Sequence, residues 1–372
     1  MTRQRPSTPT SGTVASVIAD EIDRLGPMRF DRYMELALYA PGGYYDDPPV
    51  GAGPAGDFVT SPHVHDVFGE LVADAVRGML EVMSVRDGGD LVEVGAGDGT
   101  LIRTMLPSLP GTTVTTVERS PGARETLRAI EGIEVHDSMP TISIPVVVLA
   151  HELADNLPFR RLRRVDHHVV EVHVGLTDER LVEVLMPVGD GLEPPLELAS
   201  GEEAIVPTGA ASFVAEALDG PPPRALLMID YGSDRGAGGP AHGYASHRVV
   251  EDLLAAPGET DITAGVDFGF LAQAARANGL QPFPTVSQRE ALTALGLEAW
   301  VHTELERQRD LLNSGRGGDA VRAWGGRSRA TMLADPAGLG RFRWFVVTTP
   351  GVAEPEWLRA ARESGGPSAE RA

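Results

Sequence analysis

The 372-residue chain contains no cysteine and no lysine, and all 32 of its basic residues are arginine. Without cysteine there is no disulfide, no thiolate metal site and no thiol nucleophile. Without lysine there is no P-loop lysine, no Schiff-base lysine and no kinase-type lysine. These two absences exclude several large classes of enzyme before any motif is considered.

Long apolar runs and an excess of positive charge are also missing. The longest apolar run, 144–150, is far short of the roughly 20 residues that cross a bilayer, so we expect no membrane span. The formal net charge of −21 is spread along the chain, which disfavours nucleic acid as a partner. The arginine-rich stretch 160–164 (RRLRR) is the one local site where we expect that an anion could bind. The Gly/Ala/Arg-rich composition predicts a cytoplasmic protein.

Hydrophobic periodicity divides the chain into helical and mixed regions. From Asp90 onward, β-branched strand patterns alternate with helical ones, which is typical of a parallel sheet in an α/β fold. We predict a disordered tail over 1–13, an N-terminal helical segment over 14–88 and a frayed tail over 351–372. Between them we predict a Rossmann-like core over 89–160 and 223–350, with a helical insertion at about 233–340. A second insertion over 161–222, antiparallel and helical, is predicted to cover the substrate.

A glycine-rich turn follows the first strand pattern of the core, in 91–101 (LVEVGAGDGTL). A dinucleotide turn reads G-x-G-x-x-G, but here Thr100 stands where the third glycine belongs. Glu93 lies two positions before the first glycine, where a negative charge would repel a pyrophosphate. The turn therefore favours a ligand that carries positive charge, although an ordinary strand-to-helix connection is the structural alternative.

Two further acids follow the next two strands of the pattern. Glu118 ends the second strand, 25 positions after Glu93, where a carboxylate could chelate ribose hydroxyls. Asp137 follows the third strand and could accept a hydrogen bond from an adenine amino group. A surface turn acid explains Asp137 equally well.

Six short sequence blocks, which follow one another along the chain, indicate a more specific family than the glycine turn alone does. They are 56–62 (GDFVTSP), 68–70 (FGE), the glycine turn, 150–158 (AHELADNLP), 229–232 (IDYG) and 261–268 (DITAGVDF). The series resembles the MidA-like family of class I S-adenosylmethionine-dependent methyltransferases, whose mitochondrial members assist complex I assembly by methylating an arginine. The resemblance implies a seven-stranded, mostly parallel Rossmann-like sheet with an N-terminal helical segment and an antiparallel insertion.

The resemblance also implies a set of site residues. The cofactor would be S-adenosylmethionine, and the reacting methyl would face Glu152 and Asp155. The implied cofactor-binding residues are Gly56, Asp57, Thr60, Ser61, Glu93, Gly95, Gly97 and Glu118, and Asp137 is added from its position. The chain departs from the family pattern at His151, which replaces an asparagine, at Asn156, which replaces an alanine, and at His63, which replaces a glutamate.

The sequence is compatible with more than one kind of methyl acceptor. Glu152 and Asp155 could orient a guanidinium and take its proton, although acids in the first turn of a helix also occur for electrostatic reasons alone. A hydroxyl or carboxylate acceptor would instead make His151 the candidate base. We therefore predict a protein arginine acceptor, with a small metabolite methylated on O or N and a cofactor-binding assembly chaperone as alternatives. No metal site is expected, and a homodimer is left open.

Overall fold

The computed structural model describes residues 13–46, 60–85, 89–189, 192, 198–236, 239–245 and 248–365. Residues 1–12 of the predicted tail lie outside this part of the chain. So do Gly56 and Asp57, two of the residues predicted to bind the cofactor.

The N-terminal segment contains four helices and one short strand. They are α1 (Val14–Leu25), β1 (Met28–Arg29), α2 (Phe30–Tyr39), α3 (Ser61–Val64) and α4 (Val67–Val82). Thr13 caps α1 by accepting a hydrogen bond from the Ser16 N–H, and the helical spacing of Val14, Ile18 and Ile22 buries one face. The sequence predicts helices alone here, but β1 pairs with a strand of the insertion.

The first half of the core alternates strands and helices as predicted. It contains β2 (Asp90–Val94), α5 (Thr100–Met105), β3 (Thr113–Val117), α6 (Pro121–Arg128), β4 (Ile133–His136) and β5 (Val146–His151). From Val146 to Ala150 every side chain of β5 is fully buried. This strand lies in the middle of the sheet, where both of its faces are covered, and that explains its uninterrupted apolar sequence.

The insertion forms a separate antiparallel sheet and one helix. Its elements are β6 (Arg160–Val165), β7 (His168–Thr177), β8 (Arg180–Pro187), β9 (Glu203–Val206) and α7 (Thr208–Ala217). Strands β6, β7, β8 and β9 form a five-stranded sheet with β1, and in this sheet β7 pairs with β1, β6 and β8.

The arginines of β6 are held by glutamates within this sheet. Arg160 and Glu171 are both buried and form a two-pronged ion pair, with Nε to Oε1 at 2.7 Å. Arg161 and Arg163 pair with glutamates of β8 and β9. The expectation that 160–164 could bind an external anion is therefore wrong for these three residues, because their guanidinium groups already have internal carboxylate partners.

The rest of the chain completes the core and adds a second insertion. Its elements are β10 (Arg224–Asp230), β11 (Gly232–Ser233), β12 (His242–Ala245), β13 (Arg248–Val250), β14 (Asp261–Thr263), β15 (Val266–Asp267), α8 (Phe268–Ala277), β16 (Gln281–Pro282), β17 (Val286–Ser287), α9 (Gln288–Ala294), α10 (Leu297–Asn313), α11 (Gly317–Met332), β18 (Arg343–Thr348) and α12 (Glu356–Ser364). The stretch 233–340, predicted as helical, contains several short strands as well as helices.

The central sheet has the order β16-β18-β10-β5-β2-β3-β4, and β17 also pairs with β18. Strands β4, β3, β2, β5 and β10 are parallel, and β18 runs antiparallel to β10. This confirms the predicted Rossmann-like α/β fold. The sheet has eight strands among the described residues, because two short strands, β16 and β17, share the edge beside β18.

The predicted frayed tail over 351–372 is wrong over 356–364, where the chain forms α12. Helix α12 places Trp357 and Leu358 in the core, and the Trp357 Nε1–H donates to the Ala75 carbonyl of α4 at 3.1 Å. The helix therefore covers one face of the fold. None of the helices in the described ranges is long and apolar enough to cross a membrane.

Candidate active site

A cavity of about 770 Å³ opens at the carboxyl ends of the parallel strands. It lies where the strand order reverses between β2 and β5, which is the usual ligand crevice of an open α/β sheet. The turns after β2, β3, β5 and β10 line it, together with residues from the N-terminal segment and the second insertion.

The glycine turn after β2 brings bare backbone to the cavity. Gly95, Gly97 and Gly99 all have positive φ, at 74°, 55° and 77°. The Gly95 N–H donates to the Val117 carbonyl at 2.8 Å, which ties the turn to β3. At Gly97 an added Cβ would meet nothing within 4 Å, so the turn leaves open space on the cavity side.

Glu118 supports this turn from the end of β3. Its carboxylate accepts hydrogen bonds from the Gly97 N–H at 3.0 Å and from the Ser120 N–H at 2.8 Å. Each carboxylate oxygen can accept more than one hydrogen bond, so both can still bind ribose hydroxyls. Glu118 lines the cavity, as a ribose-binding acid must.

Glu93 is a buried acid beneath the glycine turn. Its Oε2 is buried and has no hydrogen-bond partner among the described residues. Burial, followed by the nearby charges of Glu118 and Asp98, raises its pKa to about 8. A ligand with an ammonium or sulfonium group would supply the positively charged partner that the Glu93 carboxyl group lacks among the described residues. The open face of Gly97, the orphaned Glu93 oxygen and the accessible Glu118 together fit S-adenosylmethionine.

Glu152 follows β5 in a strained conformation. Its φ is +49°, which is rare for a residue other than glycine, and its N–H donates to the Ile229 carbonyl at 2.9 Å. The Ser61 N–H hydrogen-bonds to the carboxyl group, but Oε1 has no hydrogen-bond partner in the described part of the chain. Burial and the charge of Asp155 raise the pKa of Glu152 to about 8.

Asp155 is fixed from two sides. The Thr263 hydroxyl donates to Asp155 Oδ2 at 2.7 Å, and the Tyr231 hydroxyl lies 2.6 Å from the Thr263 oxygen. The fully buried Asp230 accepts hydrogen bonds from the N–H groups of Ala154 and Asp155, which holds the turn. Burial raises the pKa of Asp155 to about 6, and its Oδ1 makes no hydrogen bond with any described residue.

His151 lines the same cavity, next to Glu152. Its Nε2 is 3.4 Å from Glu152 Oε1, and its ring packs edge-on against Phe68 with centroids 5.4 Å apart. Burial, and to a smaller extent the charge of His63, lowers the pKa of His151 to about 3. A neutral imidazole with so low a pKa is a weak base at neutral pH, which argues against the predicted role in deprotonating a hydroxyl acceptor.

Of the other residues predicted to bind the cofactor, some line the cavity and others do not. Thr60 lines the cavity and contacts His63 Nδ1 at 2.8 Å, and His63 Nε2 lies 3.0 Å from Asp98 Oδ2. Ser61 is buried outside the cavity wall, and its hydroxyl accepts a hydrogen bond from Gln288. Asp137 is exposed and hydrogen-bonds to Ser138, so the structure does not bring it into the site. Across the described ranges no three His, Asp or Glu side chains cluster as metal ligands would.

The cavity wall also contains residues outside the predicted set of site residues. These are chiefly Tyr39, Tyr44 and Tyr45 from the N-terminal segment, Tyr231 after β10, and Asp261 and Thr263 on β14. The blocks 229–232 and 261–268 had marked the last three as part of the family pattern. No sequence signal marks the three N-terminal tyrosines, because they meet the site only through the tertiary fold.

Comparisons with known proteins agree with this geometry. A family described as S-adenosyl-L-methionine-dependent methyltransferases matches residues 71–286. A Danio rerio relative named protein arginine methyltransferase NDUFAF7, mitochondrial, is 27% identical, and the match covers 96% of this chain and 92% of that protein. The Homo sapiens protein of the same name is 25% identical, with 78% and 75% covered.

A solved structure supports the fold over nearly the whole chain. A Burkholderia thailandensis protein, crystallised with S-adenosylhomocysteine, superimposes with a TM-score of 0.75 at 24% identity, covering 95% of this chain and 97% of that one.

These comparisons also correct one prediction. The cytoplasmic location expected from composition is wrong by this test, because the curated relatives are mitochondrial proteins. Amino-acid composition reports coding bias as much as compartment, so it was a weak basis for that prediction.

The family match covers more than half of the chain and includes the glycine turn, Glu118 and the Glu152–Asp155 turn. The chain therefore belongs to the S-adenosyl-L-methionine-dependent methyltransferase family, and it is an enzyme that uses this cofactor.

Proposed function

We propose that this methyltransferase acts on a protein, and that the atom methylated is a nitrogen of an arginine guanidinium. The observation that carries the proposal is the pair of acids after β5. Glu152 and Asp155 both line the cavity, and each keeps a buried carboxyl oxygen without a hydrogen-bond partner among the described residues. Two orphaned acceptors suit a group rich in N–H donors.

S-adenosylmethionine supplies an electrophilic methyl group on a sulfonium. By the geometry of the site, Glu93, the backbone at Gly95 and Gly97, and the carboxylate of Glu118 would hold it. The protein then has to align the acceptor nitrogen with that methyl group and exclude water. The remaining requirement is that the acceptor nitrogen loses a proton.

A guanidinium is protonated at all physiological pH values, so its nitrogen becomes nucleophilic only as a proton leaves. The pKa values of about 8 for Glu152 and about 6 for Asp155 lie close enough to neutral pH for both carboxyl groups to exchange protons there, and the charge of a bound guanidinium would favour their ionised, basic forms. In this proposal Asp155 binds and orients the guanidinium, and ionised Glu152 would take the N–H proton through Oε1 as the N–CH₃ bond forms, the S–CH₃ bond of the sulfonium breaks and S-adenosylhomocysteine leaves.

The curated relatives support the same acceptor, because they are named protein arginine methyltransferases. Their identities of 25–27% make the acceptor a proposal for this chain. The low pKa of His151 removes the main argument for a hydroxyl acceptor. The second insertion contributes His242, Tyr244, Asp261 and Thr263 to the cavity wall, and a wall added to the core in this way suits a macromolecular acceptor.

The test is methyl transfer from tritiated S-adenosylmethionine to a protein extract of cells in which the gene is deleted. Acid hydrolysis then identifies the labelled residue. We expect labelled methylarginine with wild type, and at least about 100-fold less with Glu152→Gln, which removes the base without changing its size. Glu125→Gln, on an exposed helical position of α6, is the matched control and should behave as wild type.

Two results would contradict the proposal. Label recovered as an alkali-labile methyl ester or in a small metabolite would show another acceptor. Methylarginine formed equally well by Glu152→Gln would show that the acid is not the base.

A further inference from the structure

The cavity has an aromatic wall that the methyl-transfer chemistry above does not use. Tyr39 and Tyr45, from the end of α2 and the turn after it, line the same cavity as Asp155 and Asp261. Their rings are stacked, with centroids 5.6 Å apart and planes inclined by 18°. The Tyr44 and Tyr45 rings are perpendicular, with their centroids 5.0 Å apart. The N-terminal segment therefore contributes a fixed aromatic surface to the site.

A polar network holds this surface in place. The Tyr45 hydroxyl donates to Asp261 Oδ1 at 2.9 Å, and the Asn156 amide donates to the same oxygen at 2.8 Å. The Tyr39 hydroxyl donates to the Asn156 carbonyl at 3.0 Å. Both phenol hydroxyls are thus bound to protein atoms, so what the tyrosines can offer a ligand is the face or edge of a ring.

The electrostatic setting of the Tyr45 ring favours a cation. Burial raises the pKa of Tyr45 well above its ordinary value, and Asp261, Tyr39 and Asp155 raise it further, so the phenol stays neutral. The face of a neutral aromatic ring attracts positive charge, and a planar guanidinium can also stack on it. The fold already shows this contact nearby, since the Arg119 guanidinium carbon lies 4.7 Å from the centroid of the Tyr39 ring.

We infer that Tyr45, fixed by Asp261, is a specificity-determining residue of the acceptor subsite and selects a planar organic cation over a neutral or compact one. This inference rests on the proposed function and extends it: Asp155 and Glu152 would bind the N–H edges of the guanidinium, and the Tyr45 ring would bind its face. The subsite then discriminates arginine from lysine by the planar shape of the guanidinium, and from a neutral side chain by charge.

The test uses full-length protein saturated with S-adenosylhomocysteine and three small probes that differ in one property. The probes are n-butylguanidinium, n-butylammonium and n-butylurea, which are a planar cation, a compact cation and a planar neutral group. Affinities are measured by NMR titration. We expect wild type to bind n-butylguanidinium about tenfold more tightly than n-butylurea and severalfold more tightly than n-butylammonium.

Two variants separate the ring from the hydroxyl. Tyr45→Phe keeps the ring and loses the bond to Asp261, and we expect it to bind n-butylguanidinium within about threefold of wild type. Tyr45→Ala loses the ring, and we expect about tenfold weaker binding. Both should bind S-adenosylhomocysteine as wild type does, which shows that the fold is intact.

Three outcomes would overturn the inference. Tyr45→Ala could bind n-butylguanidinium as well as wild type. Tyr45→Phe could lose as much affinity as Tyr45→Ala, which would assign the effect to the hydroxyl. Tyr45→Ala could also lose affinity for S-adenosylhomocysteine, which would place the ring on the cofactor side. If the inference fails in any of these ways while methylarginine still forms in the transfer assay, the proposed function stands without it.

Discussion

Glu93 makes the stability of the protein depend on pH in a direction opposite to that of most acids. Its pKa is about 8 in the folded chain against an ordinary value of 4.5. Between those values the folded state holds a proton that the unfolded state has released, so the stabilising effect is complete below about pH 4.5 and is lost as pH rises to about 8. Glu152 and Asp155 act in the same direction.

We therefore expect the free energy of unfolding of the cofactor-free protein to fall between pH 5 and pH 8. Glu93→Gln cannot titrate and should flatten this slope by up to about 1.4 kcal/mol per pH unit. Urea unfolding at several pH values measures it, with Glu125→Gln as a control that keeps the wild-type slope. Parallel curves for Glu93→Gln and wild type would mean that Glu93 is ionised in the folded protein.

Gly97 allows a second test, in which the loss of stability caused by its positive φ is distinguished from the loss of affinity caused by its position in the cavity. Gly97→Ala and Gly132→Ala both place a Cβ in open space at positive φ, so each should lose about 1–2 kcal/mol of stability. Only Gly97 lines the cavity. We expect at least a tenfold loss of S-adenosylmethionine affinity in Gly97→Ala alone, measured by calorimetry. Equal affinities in the two variants would remove Gly97 from the cofactor site.

The site could be predicted from sequence only where a local pattern carries the chemistry. Glu93 lies near the carboxyl end of β2, the three glycines follow β2 and Glu118 follows β3, so their meeting at one edge of a parallel sheet was predictable. Tyr45 and Asp261 are 216 positions apart and meet through the fold. Asp137 shows the opposite error, since a plausible position after a strand still left its side chain exposed.

At the scale of elements, α12 carries more stability than a terminal segment usually does. Trp357 is buried, stacks edge-on against Trp344 at 5.7 Å and hydrogen-bonds to α4. Trp357→Ala should cost about 3–5 kcal/mol in urea unfolding, because it removes a large buried side chain. Arg359→Ala, on an exposed position of the same helix, should change stability by less than about 0.5 kcal/mol. A small effect at Trp357 would show that α12 detaches without cost.

Long periodic elements were predictable and short ones were not. The parallel strands β2, β3, β4 and β5 follow from β-branched runs between helical patterns. Two-residue strands such as β1, β16 and β17 have no period to detect, and they exist because a neighbouring edge offers hydrogen bonds. Helix α12 was missed because its apolar positions, Trp357, Leu358 and Ala361, are few and lie beyond the last strand of the core.

At the scale of the whole molecule, the core, the N-terminal segment and the two insertions meet at one cavity. The Rossmann-like core supplies Glu93, Glu118 and Glu152, whereas the N-terminal segment supplies Tyr45 and the second insertion supplies Thr263. Under the proposed function the cofactor would lie against the core, and the acceptor would lie between the Glu152–Asp155 turn of the core and the added parts. The domain boundaries and the homodimer stay predictions.

The most direct test of this account is calorimetric titration of S-adenosylhomocysteine into wild type and Glu118→Ala. We predict one site per chain in wild type and at least a hundredfold weaker binding in the variant, because Glu118 fixes Gly97 and lines the cavity where we predict that the ribose binds. Glu125→Ala should bind as wild type. Undiminished binding by a folded Glu118→Ala would contradict the assignment of this cavity as the cofactor site.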